Sequence, residues 1–372
     1  MSRTKIPQKV IAELWWRAAG RCEFKGCNKP LYEHGVTMDS CNEAQCAHII
    51  ADSDNGPRGD KELSKELSKD ASNIMLLCPE CHKYIDNEGA EKYDSMTLQN
   101  MKQHHENRMR FLTGLSEDLQ AHIVTYGSKI ENHIHDFSFK QLQEALLPNF
   151  YPNDLTTIDL GGVFYAGKNW EEYWKREEEN LEYTCKEKIL ERINKWEYKK
   201  IALFAIAPMP LLVKLGTMLN NKHDIEVFQK QRKGGWKWAE LTKSIRFIIN
   251  RPKNTSMNPI LVLSLSFSII DRIKKNRKDG SIWELTIENP NPDFLTSRQI
   301  LHDYGRKIEM LLEEITNEAN GKTLDVYLSV PVACAIELGR VWMPKANCTL
   351  NIYDYNRKYC REDKLALTIK NK

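Results

Sequence analysis

The chain has 372 residues, 41% hydrophobic and 28% charged, with a formal net charge of +3. That length fits two domains and the composition excludes disordered and collagen-like classes, while the near-balanced charge permits nucleic-acid binding without arguing for it. The N-terminus MSRTKIPQKVIAELWWRAAG is amphipathic and charged rather than a signal peptide. The apolar runs IALFAIAPMPLLV and PILVLSLSFSII are too short or too polar to span a bilayer. A cytoplasmic protein with no membrane part is expected, and in that compartment ten cysteines are expected free or metal-bound.

The first predicted element is a helix over 6–19 with Ile6, Val10, Ile11, Leu14 and Trp15 on one face. The knuckle RCEFKGC follows, and its Cys22 and Cys27 have the spacing of half a tetrahedral zinc site. Cys78 and Cys81, in CPEC, supply the other half. Four thiolates from two knuckles suit zinc, whereas a redox CPEC calls for a thioredoxin-like context and no second knuckle. Cys41 and Cys46 repeat the Cys22–Cys27 spacing, and their role stays open. Cys185, Cys334, Cys348 and Cys360 are isolated and read as buried small hydrophobes.

QCAHII reads as a strand carrying His48, ADSDNGPRGD as a turn-rich loop, and KELSKELSKDAS as a solvated, charged short helix. Asn73 then precedes the apolar strand IMLLC. CPECHKYID begins a helix that sets His82 and Asp86 four residues apart on one face.

The ordered set His48, Asn73, His82, in AHII and SNIMLLCPECHKYID, resembles the HNH endonuclease family over about residues 15–112. The resemblance implies an α+β ββα-metal domain over 1–112, supported by structural zinc on Cys22, Cys27, Cys78 and Cys81. It implies His48 as general base, Asn73 as the residue fixing the loop and the base, and His82 as ligand of a catalytic divalent cation, Mg²⁺ or another. The residue types suit phosphodiester hydrolysis: imidazole takes a proton near pH 7, and a cation stabilises charge on the phosphate. One departure matters. Many members carry Asp or His directly before the base as a second metal ligand, and here that position is Ala47. Asp86, Asp52 and Asp54 are the candidates to replace it, with Asp86 favoured. Lys83, Lys92, Lys102, Arg108 and Arg110 gather toward the helical end as candidate phosphate contacts.

Residues 113–154 read as a partly helical connector, and NWEEYWKREEENLEYTCKEKILERINKW as a long amphipathic helix whose EEE run faces water. A repeat follows. IALFAIAPMPLLVKLG and TLDVYLSVPVACAIELG share a strand–turn–helix layout that aligns Pro208 with Pro331 and Leu215-Gly216 with Leu338-Gly339. A further strand follows each, which suggests a duplicated α/β domain of two Rossmann-like halves, a fold that binds ligands at the carboxyl ends of its strands. VFQKQRKGGWKWAEL sets two glutamines, basic residues and a Trp-x-Trp at one such end, a composition that can stack bases and meet phosphates.

The pattern APMPLLVKLG, VFQKQR…GWKW and PVACAIELGRVWMPK…NIYDYNR resembles the SAVED domain, with its two CARF-like repeats, over about residues 155–372. HNH ahead of SAVED resembles an effector class of bacterial antiphage CBASS systems. That resemblance implies a cyclic dinucleotide or oligonucleotide messenger as activator and double-stranded DNA degraded with little sequence specificity. It also implies a homo-oligomer, dimer or tetramer. Carried onto this sequence, Trp236 and Trp238 would stack on or wall a base, and Gln229, Gln231 and Arg232 would lie near phosphates or base edges. Tyr165 and Lys168 are looser candidates. Two other readings stand beside it: an HNH restriction enzyme directed by modified DNA, and a non-catalytic zinc-containing nucleic-acid-binding protein.

Overall fold

The computed structural model describes residues 4–34, 37–128, 137–154, 156–161, 169–232, 235–239, 244–319, 321–355 and 362–371. The chain divides into two compact units, Met1–Ser116 and Glu117–Lys372.

In the first unit α1 (Gln8–Ala18) starts after Pro7 and ends where Ala19 turns left-handed at φ 51°. The Gly20 N–H then bonds back to Trp15 O at 3.1 Å, closing the last turn. β1 (Gln45–His48) pairs antiparallel with β2 (Ile74–Leu77). The helix expected in KELSKELSKDAS shrinks to one turn, α2 (Leu63–Glu66). α3 (Pro79–Asp86) takes Pro79 in its first turn, where a missing N–H costs nothing. α4 (Ser95–Thr113) is capped by Asp94, whose carboxylate accepts from Thr97 N at 2.7 Å. Every residue of β2 is buried, and it packs with Leu14, Leu31, Ile49, Ile85 and Leu98 into one core.

One candidate phosphate contact is displaced by this packing. Lys102 faces the core side of α4 at 2% exposure, bonded to Glu106 Oε1 at 2.5 Å and 3.8 Å from Glu23 Oε1. A buried ammonium held by carboxylates is spent on the fold and does not reach DNA. Lys83, Lys92, Arg108 and Arg110 are exposed.

The second unit contains β3 (Gln120–Gly127), α5 (Phe139–Leu146), β4 (Tyr151–Pro152), β5 (Ile158–Asp159), α6 (Trp170–Cys185), α7 (Glu191–Asn194), β6 (Ile201–Ile206), α8 (Met209–Leu219) and β7 (Ile225–Phe228). There follow β8 (Phe247–Asn250), β9 (Asn258–Ser264), α9 (Ile270–Asn276), β10 (Gly280–Ile287), α10 (Arg298–Ala319), β11 (Leu324–Ser329), α11 (Val332–Val341), β12 (Leu350–Asp354) and β13 (Lys364–Ile369). One sheet has the order β4-β3-β6-β7, with β5 beside β3, and is parallel throughout. The other has the order β13-β12-β11-β9-β10-β8, parallel inside with antiparallel edges.

The duplicated units of the sequence are β6-α8-β7 and β11-α11-β12, each a parallel pair joined by a helix. Their aligned glycines meet. A Cβ on Gly216 would stand 2.0 Å from Ile336 O, and one on Gly339 would stand 2.0 Å from Val213 O. α8 and α11 therefore cross backbone to backbone, which explains why both repeats keep Leu-Gly there.

Two expectations are corrected. The stretch 113–154 is no connector: β3 lies between β4 and β6, and its Ile123, Val124 and Tyr126 are buried, so the second unit begins at Glu117. The EEE run of α6 does not face water throughout, because Glu177 is 1% exposed and accepts from Ser128 Oγ at 2.9 Å. Cys185, Cys334 and Cys348 are buried as read, and Cys360 lies outside the described residues.

Candidate active site and ligand-binding residues

Along β1 successive side chains face opposite sides. Ala47 is 1% exposed in the core, so the position before His48 presents methyl to apolar neighbours. His48 is half-buried on the other side, and its Nε2 lies 2.9 Å from Ser68 O. A carbonyl can only accept, so Nε2 carries the hydrogen and Nδ1 keeps the lone pair.

Asn73 is buried and fully engaged. Its Oδ1 accepts from Ile50 N at 2.9 Å, and its Nδ2 donates to Ile50 O at 2.9 Å and Leu67 O at 3.3 Å. It thereby staples the turn after His48 to the segment that presents Ser68 O.

On α3, His82 Nδ1 stands 2.6 Å from Gln45 Oε1 and Nε2 stands 3.1 Å from Asp86 Oδ2. Arg58 Nη2 donates to Asp86 Oδ1 at 2.7 Å. Burial pushes the Asp86 carboxyl up, but the hydrogen bonds from His82 and Arg58 outweigh it and hold the group below the usual carboxylate range. Of the three candidate second ligands, Asp86 alone lies against His82. Asp52 Oδ2 accepts from Thr4 N at 3.1 Å, and Asp54 is exposed. The pair fits a small divalent cation: octahedral ligands at about 2.1 Å put neighbouring donors about 3 Å apart, close to the 3.1 Å between Nε2 and Oδ2.

Behind this centre the thiols of Cys22, Cys27, Cys78 and Cys81 all lie within 4.8 Å of one another, close enough to bind zinc. Tetrahedral bonds of about 2.3 Å set sulfurs about 3.8 Å apart, and Cys27 Sγ is 4.0 Å from Cys78 Sγ. Cys78 N–H points at Cys22 Sγ at 3.4 Å. Burial pushes the Cys22 thiol up to about 12 and the Cys81 thiol higher still, so these two favour the thiolate only beside a cation. Cys41 and Cys46 lie outside the cluster, and no described cysteine is disulfide-bonded.

In the second unit the candidate ligand residues are more committed to the fold than their composition suggests. Gln229 is buried, and its Oε1 accepts from Ala333 N at 3.1 Å in the first turn of α11. Gln231 Nε2 donates to Leu295 O at 3.0 Å. Trp236, expected to stack on a base, is instead 2% exposed, enclosed by Phe137, Phe204 and the Lys230 ammonium. Trp238 is half-buried against Phe228. Arg232 is exposed and lies 3.4 Å from Asp293. Tyr165 and Lys168 fall outside the described residues.

Family models agree with this division. The HNH endonuclease model matches residues 22–88, and the SAVED model (SMODS-associated and fused to various effectors sensor domain) matches residues 181–362. The chain carries an HNH endonuclease domain followed by a SAVED sensor domain. No curated protein matches it. Among solved structures it is similar to the Acinetobacter baumannii Cap4 SAVED/CARF-domain receptor with the cyclic trinucleotide 2'3'3'-cAAA, at 13% identity and TM-score 0.44, covering 84% of this chain and 67% of that one. The same receptor with 3'3'3'-cAAA gives 12% identity and TM-score 0.43, covering 84% and 68%. Moraxella osloensis Cap4 gives 10% and 0.40, covering 84% and 70%. No helix among the described residues is long and apolar enough to cross a membrane.

In the HNH domain, Gln45 and Arg58 belong to no motif visible in the sequence. Gln45 sits three before His48, in the strand QCAHII, and faces α3 across the hairpin. Arg58 stands within the turn-rich NGPRGD. A basic residue among turn formers was the only local signal for it. In the SAVED domain the matched region begins inside α6, yet β3 to its N-terminal side pairs with β6 and completes the same sheet.

Proposed function

We propose that this protein is a DNA endonuclease switched on by a cyclic oligonucleotide, acting in the cytoplasm as a CBASS-type antiphage effector. The observation that carries the reading is one ββα unit holding His48, Asn73 and His82 together, with Asp86 against His82. His48 Nδ1, its lone pair free by virtue of the Ser68 bond, takes a proton from water as that water attacks the phosphorus. Asn73 holds the His48 turn still during this transfer. His82 Nε2 and Asp86 Oδ2 would hold Mg²⁺ or another divalent cation, which supplies charge stabilisation at the phosphate and the leaving oxygen. Cys22, Cys27, Cys78 and Cys81 would hold the structural zinc that fixes the start of α3.

The substrate is double-stranded DNA, gripped through phosphates by exposed Lys83, Lys92, Arg108 and Arg110 with little base readout. The messenger binds the SAVED domain near Gln231, Arg232 and Trp238, and favours one homo-oligomeric arrangement over another; only a difference in affinity between states can switch activity. The test mixes protein, Mg²⁺ and plasmid with a panel of cyclic di- and trinucleotides. One member of the panel turns on cleavage of methylated and unmethylated plasmid alike. Cleavage indifferent to every nucleotide but governed by methylation would instead mark a restriction enzyme.

A further inference from the structure

Arg58 lies between β1 and α2 in the turn NGPRGD, with its backbone left-handed at φ 60°. The turn is tight: a Cβ on the following Gly59 would stand 2.5 Å from Asp54 O. The side chain is 6% exposed. Nε donates to Ile49 O at 2.7 Å, Nη1 to Ile85 O at 2.8 Å and Nη2 to Asp86 Oδ1 at 2.7 Å, with His48 O at 3.5 Å. One planar guanidinium thus bridges the residue after the expected base and the last turn of the helix bearing His82 and Asp86.

Such an investment does more than close a turn. Surface turns are satisfied by water and short polar side chains, and a guanidinium taken from water is kept only where its donors find good acceptors. Here the acceptors lie on both halves of the ββα unit. Ala47 is committed to the core, and among the described residues no third His, Cys, Asp or Glu groups with His82 and Asp86. Asp86 is about a third exposed and, untethered, would turn freely in solvent. Arg58 occupies Oδ1 and leaves Oδ2 turned toward His82 Nε2.

We propose that Arg58 is a positioning residue of the nuclease centre: it presents Asp86 Oδ2 to the divalent cation and fixes the distance between that cation and His48. The proposal rests on the reading that His82 and Asp86 hold the catalytic cation. Lysine does not replace it, because a point charge cannot reach three acceptors spread around a plane.

The test titrates Mn²⁺ into zinc-loaded protein without DNA, for wild type, Arg58→Lys, Arg58→Gln, Asp86→Asn and the double variant R58K/D86N. Zinc content, melting temperature and messenger-activated kcat and KM for plasmid are followed alongside. Loss of a ligand's orienting partner typically weakens metal binding roughly 10–100-fold. R58K and R58Q are expected to lose Mn²⁺ affinity in that range and kcat with it, with zinc content and the DNA KM unchanged. R58K/D86N should bind Mn²⁺ no worse than D86N alone, because both changes act through one carboxylate. R58Q keeps planar donors for the carbonyls, so it covers the case in which lysine disturbs the turn. Variants that bind Mn²⁺ like wild type, or lose it only together with zinc and fold, overturn the proposal and leave the nuclease reading standing. Wild type that binds no cation beyond zinc removes both.

Discussion

Among the described residues the His48 side chain makes one hydrogen bond and the Asn73 side chain makes three, and this difference separates what their loss should do. His48→Ala removes the proton acceptor while the half-buried ring leaves little behind. Cleavage should fall about 10²–10⁴-fold, with zinc content and melting temperature held; a DNA-binding protein without catalysis would show no activity to lose. Asn73→Ala strands the Ile50 N–H and the Ile50 carbonyl in a half-buried turn, while Leu67 O keeps its bond from Asp70 N. It should cost about 1–3 kcal/mol of stability, so that melting temperature and cleavage fall together. The four cysteines were legible because zinc chemistry fixes residue type and spacing at once, and His48, Asn73 and His82 are proposed from their order in the sequence. Arg58 and Gln45 were not legible, since their partners come from other elements and no local pattern shows that Arg58 Nη1 meets Ile85 O. Trp236 shows the opposite error. Beside a glycine pair it resembles an exposed stacking platform, but Phe137 and Phe204 arrive from distant segments and cover it.

At the scale of elements, the crossing of α8 and α11 joins the two repeats. Each glycine lies against backbone of the opposite helix, and backbone cannot swing aside as a side-chain tip can. Gly216→Ala or Gly339→Ala must therefore push the helices apart, and overpacking of this kind costs about 1–3 kcal/mol. Calorimetry should show the SAVED transition lowered by about 2–4 °C per kcal/mol while the HNH transition stays in place; an unmoved SAVED transition would mean that the crossing adjusts freely. The repeat was readable because Pro and Leu-Gly recur at matching offsets, and the crossing explains the glycine half of that pattern. β3 was missed for a physical reason as well. QAHIVTYG is a short apolar run interrupted by histidine, and only its pairing with β6 and β4 shows it to be central. The His122 ring is half-buried against Tyr198, and burial lowers its pKa, so the histidine within this strand packs into the fold.

At the scale of the whole molecule, the two units differ in what holds them. The HNH unit, Met1–Ser116, rests its ββα layer on a small core around β2 that includes Cys22 and Cys78 of the thiol cluster. The SAVED unit has a main core shared by both sheets, from Val124 and Leu203 to Leu261 and Val326, with smaller clusters around Phe204 and around Tyr327, and the thiol cluster belongs to none of them. Metal binding in small domains is folding free energy, so chelating zinc, or Cys81→Ser, should unfold the HNH unit and end cleavage. The SAVED unit should keep its melting transition and its ligand. A messenger at 100 times its Kd stabilises the state that binds it by about 2.7 kcal/mol, and this shift should persist undiminished in zinc-stripped protein. Differential scanning calorimetry with and without chelator, each with and without the activating nucleotide, reads all four states. Loss of the nucleotide shift on chelation would show that the sensor needs a folded nuclease unit. A preserved shift with cleavage abolished would assign sensing and cutting to separate units, leaving the coupling between them to the arrangement that the messenger selects.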